Sequence, residues 1–342
     1  MPLKVIICRD FDHMSEIGVQ LAVNDIRNRL VNHEHYVLGL ATGNTPTGLY
    51  KHLAKAANAK NFDPTRIKTF NLDEYIGLPG ENAQQRALHP ESYSYFMVQE
   101  LFGLLQVKFN ETNVPWGTLI DQTKLIAELE QNPDDWEEQG TDKGKAVVIK
   151  KNARSEYLQW IRRDILNAYQ YKIECSGGID LHVVGVGGRG HVAFHESGIP
   201  FEGNKMLLVK LDDNTVENAI SDGHFDSNNH SPRYAVSMGA ELVFQAKTVL
   251  LLANGNRKAE PVAESLLLDT TPEVPISYGQ ILARKGGNMI YVIDQDAAGH
   301  ILDNSAKLKE RGIEIEDFRN QAVSQRVEEL LFFRNPDTGL MG

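Results

Sequence analysis

The sequence predicts an α/β protein, a three-layer sandwich on a mainly parallel, Rossmann-like sheet. Short runs rich in Val, Ile and Leu recur without polar alternation, as suits strands covered on both faces. Between them lie segments with helical spacing of apolar residues, and strand alternating with helix is the pattern of a parallel sheet with crossover helices. A chain of 342 residues, 42% of them apolar, can bury one large core.

The predicted strands, in order, are 3–8 (LKVIIC), 36–41 (YVLGLA), 67–72 (IKTFNL), 179–186 (IDLHVVGV), 247–253 and 288–293 (NMIYVI). Helical patterns fall near 14–31, 46–58, 91–105, 153–171, 256–268 and 315–333. The stretch 116–151, acidic in its middle and basic at its end, breaks this rhythm and reads as a surface insertion within a single domain spanning 1–342. A partner or oligomer contact is the alternative reading for it.

The net charge of −11 argues against a nucleic-acid surface, which needs clustered Lys and Arg. No apolar run approaches the ~20 residues of a membrane span, and the N-terminal run is too short for a signal peptide. Cys8 and Cys175 form no metal or disulfide framework and read as core thiols in a reducing, cytoplasmic setting. The expectation is a cytoplasmic protein with no nucleic-acid or membrane partner.

In a sheet of this kind the ligand lies beyond the carboxyl ends of the strands, so the loops after 41, 72, 186 and 253 carry the interest. In ATGNTPTGLY (41–50), Gly43 lets the backbone approach a ligand, while Thr42, Asn44 and Thr45 offer short polar groups. Free amides at the start of the following helix suit a phosphate. Leu49 and Tyr50 stand where a nucleotide P-loop needs Lys and Ser or Thr, which excludes that motif. In FNLDEYIGLP (70–79), Asp73 and Glu74 alternate in direction, so only one can face the pocket, where a carboxylate could take a proton from carbon.

GVGGRGHVAFHESG (185–198) matches the dinucleotide pattern G-x-G-x-x-G on paper, with Asp212 or Asp213 downstream. Gly198 and Pro200 leave no room for the helix that pattern must open, so a nicotinamide site is not expected. His191 and His195 have zinc-ligand spacing, but no third ligand is evident and a hydrogen-bonded His195 is the simpler reading. In LLLANGNRKAEPV (250–262), Arg257 and Lys258 fall in a first helical turn, where the helix dipole disfavours cations unless an anion is bound.

These loops, with HPESYSYFM (89–97), SPRYAVSMGAEL (231–242) and GNRKA (255–259), resemble the glucosamine-6-phosphate deaminase (isomerase) family, whose fold is shared with 6-phosphogluconolactonases. The motifs stand in the family's order and cover most of the chain outside 116–151, and AFHESG looks like the deaminase branch. The resemblance implies conversion of glucosamine 6-phosphate and water to fructose 6-phosphate and ammonia, with no metal or organic cofactor. It makes Asp73 the base between C2 and C1, His191 the ring-opening group and Glu196 its positioner. Thr42, Gly43, Asn44, Thr45, Gly187, Gly188 and Lys258 would hold the sugar phosphate. Family members range from monomers to hexamers, so a homo-oligomer is allowed. Lactone hydrolysis, or sugar-phosphate sensing without turnover, are the alternatives.

The match departs from the family at identifiable places. Arg189 stands where the family has an aspartate supporting the histidine, and it is included among the candidate catalytic residues as a charge or ligand contact. His195 replaces an asparagine and Ser197 a proline. The segment 215–225 (TVENAISDGHF) lacks the arginine that the deaminases it resembles bring to the phosphate from a lid.

Overall fold

Eight strands pair in parallel across the middle of the molecule, which is a computed structural model describing residues 3–141, 144–212 and 231–332. In chain order they are β1 (Leu3–Cys8), β2 (Tyr36–Leu40), β3 (Ile67–Asn71), β5 (Glu111–Asn113), β8 (Leu181–Val184), β11 (Thr248–Ala253), β12 (Asn288–Asp294) and β13 (Glu314–Asp317). Across the sheet they run β13-β1-β12-β11-β8-β2-β3-β5. Successive residues of a strand point to opposite faces, and both faces are covered. Thus Val5 and Ile7, with Val249 and Leu251, enter one core, while Ile6 and Cys8, with Leu250 and Leu252, enter the other. Helices α1 (Phe11–Leu30) and α2 (Thr47–Asn58) cover the second face, and the Asp10 carboxylate caps α1 by accepting from His13 N–H at 2.9 Å.

A second, antiparallel sheet was not anticipated. It comprises β4 (Asp73–Ile76), β6 (Trp136–Gln139), β7 (Lys145–Ile149), β9 (Met206–Lys210) and β10 (Tyr234–Met238), in the order β4-β10-β9-β7-β6. The stretch 116–151 is therefore not a surface excursion where it is described. It supplies two of these strands, and its Ile120, Leu125, Leu129, Val147 and Ile149 are buried in a core shared with Leu158, Leu208 and Val236. Most of its described charges are exposed or half-buried, which is what the composition registered, while Asp135 is buried and accepts from Arg154 N–H and Ser155 N–H, each at 2.7 Å.

The two sheets meet at one residue. Leu72 N–H donates to Leu40 O at 3.0 Å in the first sheet, and Leu72 O accepts from Met238 N–H at 2.7 Å in the second. Asp73 begins β4 at that corner.

The C-terminal pattern 315–333 does not fold as a helix over its described part. Residues Glu314–Asp317 instead pair with β1 at the sheet edge, and the following chain is tied to α1. There Ser324 N–H donates to the Glu16 carboxylate at 2.9 Å and Val327 N–H to that of Asp12 at 3.0 Å. Pairing and side-chain acceptors override local propensity. Cys8 is buried, its thiol pushed up to about 12 chiefly by burial and then by Asp10, whereas Cys175 is exposed and so is no core thiol. Among the described residues no helix is long and apolar enough to cross a membrane.

Candidate active site

The loops after β2, β3, β8 and β11 follow four neighbouring strands of the parallel sheet, and all four line one cleft of about 290 Å³. Thr42, Gly43, Asn44, Thr45, Asp73, Gly187, His191 and Lys258 are brought together there. Gly188 and Arg189 are not: they line a separate hollow on the far side of the same loop. Arg189 is exposed and outside the cleft, so the geometry does not support direct contact with a ligand held there.

At the corner between the sheets the Asp73 carboxyl is only 5% exposed, and its Oδ1 has no hydrogen-bond partner. Burial raises its pKa to about 8, with the neighbouring Glu74 charge adding and a Thr42 hydrogen bond opposing. It is thus a carboxyl that holds its proton near neutrality until something in the cleft favours the anion.

Glu74 points the other way, as strand alternation requires. Its carboxylate accepts from the backbone N–H of Tyr93 and of Ser94, each at 3.0 Å, and from the hydroxyls of Ser92 and Ser94, each at 2.8 Å. Those donors open helix α3 (Tyr93–Glu100), so Glu74 serves as a buried cap. Burial raises the Glu74 pKa and these hydrogen bonds oppose the rise.

The cap sets Tyr93 against the cleft, where its ring stacks on Phe194 at 6.2 Å between centroids and 6° between planes. Its hydroxyl lies 3.3 Å from that of Tyr75. Sequence reasoning missed this aromatic wall, although HPESYSYFM was in view. The signal was a tyrosine one residue past an N-cap serine, in a segment following a strand end.

In the glycine-rich loop, His191 Nδ1 lies 3.1 Å from Glu196 Oε2. That contact favours the tautomer with the proton on Nδ1, leaving Nε2 to act on a ligand. The ring lies directly over Gly187, where a Cβ would come to 1.8 Å from Nε2. Glycine is required at 187 because the histidine occupies the space of a side chain. The loop closes tightly, with Gly187 N–H donating to His191 O at 3.0 Å and Ala193 at a φ of 50°. No helix follows Gly190, in keeping with the rejection of the dinucleotide motif; Asp213 and the segment 215–225 lie outside the described residues.

His195 is buried and has both nitrogens engaged. Nδ1 accepts from Ala240 N–H at 3.0 Å and Nε2–H donates to Ile199 O at 3.0 Å. Burial lowers its pKa to about 4. It ties the loop to residues 240–243 and has no lone pair to offer a metal. Among the described residues no cluster of three or more His, Cys, Asp or Glu could hold one.

On the cleft's opposite side Thr45 Oγ1 donates to Asn254 Oδ1 at 2.8 Å, joining the loops after β2 and β11. Gly43 adopts a φ of 90° with nothing within 4 Å of its would-be Cβ, so a ligand can approach its backbone. Lys258 borders the same space, its pKa lowered by burial and then by the Arg257 charge. Helix α4 (Ala259–Leu267) begins immediately after it, and α2 begins after Pro46, so two helix N-termini and an ammonium converge. This end of the cleft suits a phosphate, and the end bounded by Asp73 and His191 suits proton transfer; Glu196 does not line the cleft but reaches it through His191.

No family model matches the chain. A glucosamine-6-phosphate deaminase of Clostridium acetobutylicum is 33% identical over 296 residues, 86% of this chain and 99% of that protein. That of Clostridioides difficile is 31% identical over 306 residues, 90% of this chain and all of that protein. Among solved structures, a monomeric glucosamine-6-phosphate deaminase superposes with a TM-score of 0.62 at 25% identity, covering 87% of this chain and 100% of that one. The 6-phosphogluconolactonase of Trypanosoma brucei shares the fold, with a TM-score of 0.55 at 17% identity over 86% of this chain and 97% of that one. Matched along essentially the whole length of such relatives, the chain belongs to the glucosamine-6-phosphate deaminase family.

Proposed function

We propose that this protein converts glucosamine 6-phosphate and water to fructose 6-phosphate and ammonia, an aldose–ketose isomerisation coupled to hydrolytic loss of the amine. The observation that carries the reading is Asp73, a buried carboxyl raised to about 8, sharing one cleft with Lys258 and with His191, which Glu196 contacts. Asp73 is the base and His191 the ring-opening group, held by Glu196. Thr42, Gly43, Asn44, Thr45, Gly187 and Lys258 bind the sugar phosphate.

His191 Nε2 takes the proton of the C1 hydroxyl and returns it to the ring oxygen, which opens the hemiacetal. The Asp73 carboxylate moves a proton from C2 to C1, and a proton passes from nitrogen to O1. The 2-amino aldehyde thereby becomes a 2-imino alcohol. Water adds at C2 and ammonia leaves, so atoms balance without redox chemistry. An ammonium at C2 is the charge that would ionise Asp73, lowering a pKa that burial has raised. A sugar phosphate without the amine lacks that assistance.

The Arg189-for-Asp exchange is compatible with this chemistry, because Glu196 reaches His191 and Arg189 borders another space. We read 1–342 as one catalytic domain, since the cleft draws on the joint between both sheets, and we assign it to the cytoplasm from its cysteine usage. A homo-oligomer stays compatible with the reading.

Deuterium at C2 of glucosamine 6-phosphate tests the single-base mechanism. Partial transfer of the label to C1 of the product is expected. Hydrolysis of 6-phosphogluconolactone that persists in Asp73→Asn, with no ammonia from the amino sugar, would favour the lactonase reading instead.

A further inference from the structure

The loop that carries His191 and Glu196 also walls a second space. Behind it lies a hollow of about 280 Å³, bordered by Thr141, Arg189, Ser197, Glu260, Glu264 and Glu273. Its far side is the strap 271–276, tied to both ends of the loop. Ile276 N–H donates to Gly190 O at 2.9 Å, and Gly198 N–H donates to Pro272 O at 3.0 Å. At Gly190 (φ 77°) a Cβ would come to 2.8 Å from Val274, and at Gly198 (φ 81°) to 2.7 Å from Thr141. The hollow is therefore a built feature, held by the glycines that shape the active loop.

Two independent observations point to a ligand. Arg189, Glu260, Glu264 and Glu273 border the same space, yet among the described residues none of their side chains forms an ion pair or a hydrogen bond. Ser197, which lines the same space, is 6% exposed, and its hydroxyl has no hydrogen-bond partner among the described residues. The hydroxyl borders the hollow, so a molecule seated there can complete its hydrogen bonding. One guanidinium suits a carboxylate or phosphate, and the surrounding carboxylates suit an ammonium.

We propose that this hollow is a second ligand site, separate from the catalytic cleft, for a small zwitterion. The anionic group pairs with Arg189 and the Ser197 hydroxyl, and the ammonium sits among Glu260, Glu264 and Glu273. The volume is at the small end of ligand cavities, so the occupant is an α-amino acid or an amino-sugar phosphate rather than a nucleotide. The arginine that departs from the family pattern is then a binding residue of this site.

Titration calorimetry on the full chain separates the two sources. L-alanine is titrated into the unaltered protein, and glucosamine 6-phosphate into the Lys258→Ala variant, whose main cleft lacks its phosphate cation. Saturable one-to-one binding of at least one probe is expected, and which probe saturates identifies the anion. Arg189→Ala, added to the same protein, should weaken that binding about tenfold or more, as the loss of one charge-assisted contact implies. Glu264→Gln should weaken it in the same direction. Ethanolamine, with the amine alone, and fructose 6-phosphate, with the phosphate alone, should compete poorly. Both variants alter side chains that are not deeply buried, and an unchanged melting temperature would show that folding is intact. Failure of both probes to saturate, or affinities indifferent to Arg189→Ala, would overturn the proposal.

Discussion

Asp73 shows how one position serves chemistry at the expense of stability. Its ordinary pKa of 3.8 is raised to about 8 in the fold, so between these values the folded chain keeps a proton that the unfolded chain has lost. The native state then binds more protons, and stability falls as pH rises through that window, with the full penalty present above about 8. Asp73→Asn should therefore melt at a higher temperature than the parent at about pH 9, with the difference vanishing near pH 4. Thermal melts at both pH values check this. For catalysis the sign is the reverse, because the base must be ionised. The free-enzyme limb in kcat/KM should rise with pH through about 8. The limb in kcat should lie lower, because the bound ammonium favours the carboxylate. Gly187 belongs to the same scale. A methyl group there would overlap the His191 ring, so Gly187→Ala should cut kcat by roughly 10²-fold or more with a small effect on melting, as expected where a general acid–base group is displaced.

Glu74 determines what the element carrying Tyr93 does. Its carboxylate satisfies donors at the start of α3 and holds that helix against β4. Glu74→Ala leaves those donors unpaired in a buried place, and we expect a loss of roughly 2–4 kcal/mol by denaturant unfolding, together with a raised KM as Tyr93 loses its register. Glu74→Gln keeps some of the bonds and should lie between. The elements also show what sequence can convey. The strands β1, β2, β3, β8, β11 and β12 were legible because each is short, mostly apolar and buried on both faces, without regular polar alternation. The second sheet was not, because β4 follows β3 without any turn and β6 (WEEQ) has an exposed, charged face. Its partners come from residues 73–238, and long-range pairing leaves little local signature. Among site residues, the cleft's glycines, Asp73, His191 and Lys258 could be read from loops at strand ends. Arg189 could not be placed, because which side of a tight loop a side chain leaves is decided by backbone angles at Gly188 and Gly190. Glu74 and His195 likewise reveal their anchoring roles only through the partners they reach.

At the scale of the whole molecule, buried histidines set an acid limit, His182 and His195 most strongly. His182 and His195 each have a pKa lowered from 6.5 to about 4 by burial, so the unfolded chain takes up protons before the folded one does. Their contribution to stability is intact above about 6.5 and is lost as pH falls toward 4. Asp73 acts in the opposite direction over the same interval, so the histidines' share is read by comparison: His195→Asn, which removes one titrating group, should lose less melting temperature than the parent, or gain more, as pH falls from about 6.5 to 4, in melts at closely spaced pH values. The architecture that buries these groups also assembles the cleft, since four adjacent strands deliver their loops to one place and the passage from one sheet to the other delivers Asp73, the proposed base. The central claim is that this cleft deaminates an amino-sugar phosphate through Asp73. The most direct measurement is a coupled assay for ammonia and fructose 6-phosphate with purified protein and glucosamine 6-phosphate, run beside Asp73→Asn. The account predicts both products in equal amounts, with turnover reduced by about 10²-fold or more in the variant. Absence of both products from the unaltered protein, or equal rates from protein and variant, would contradict it.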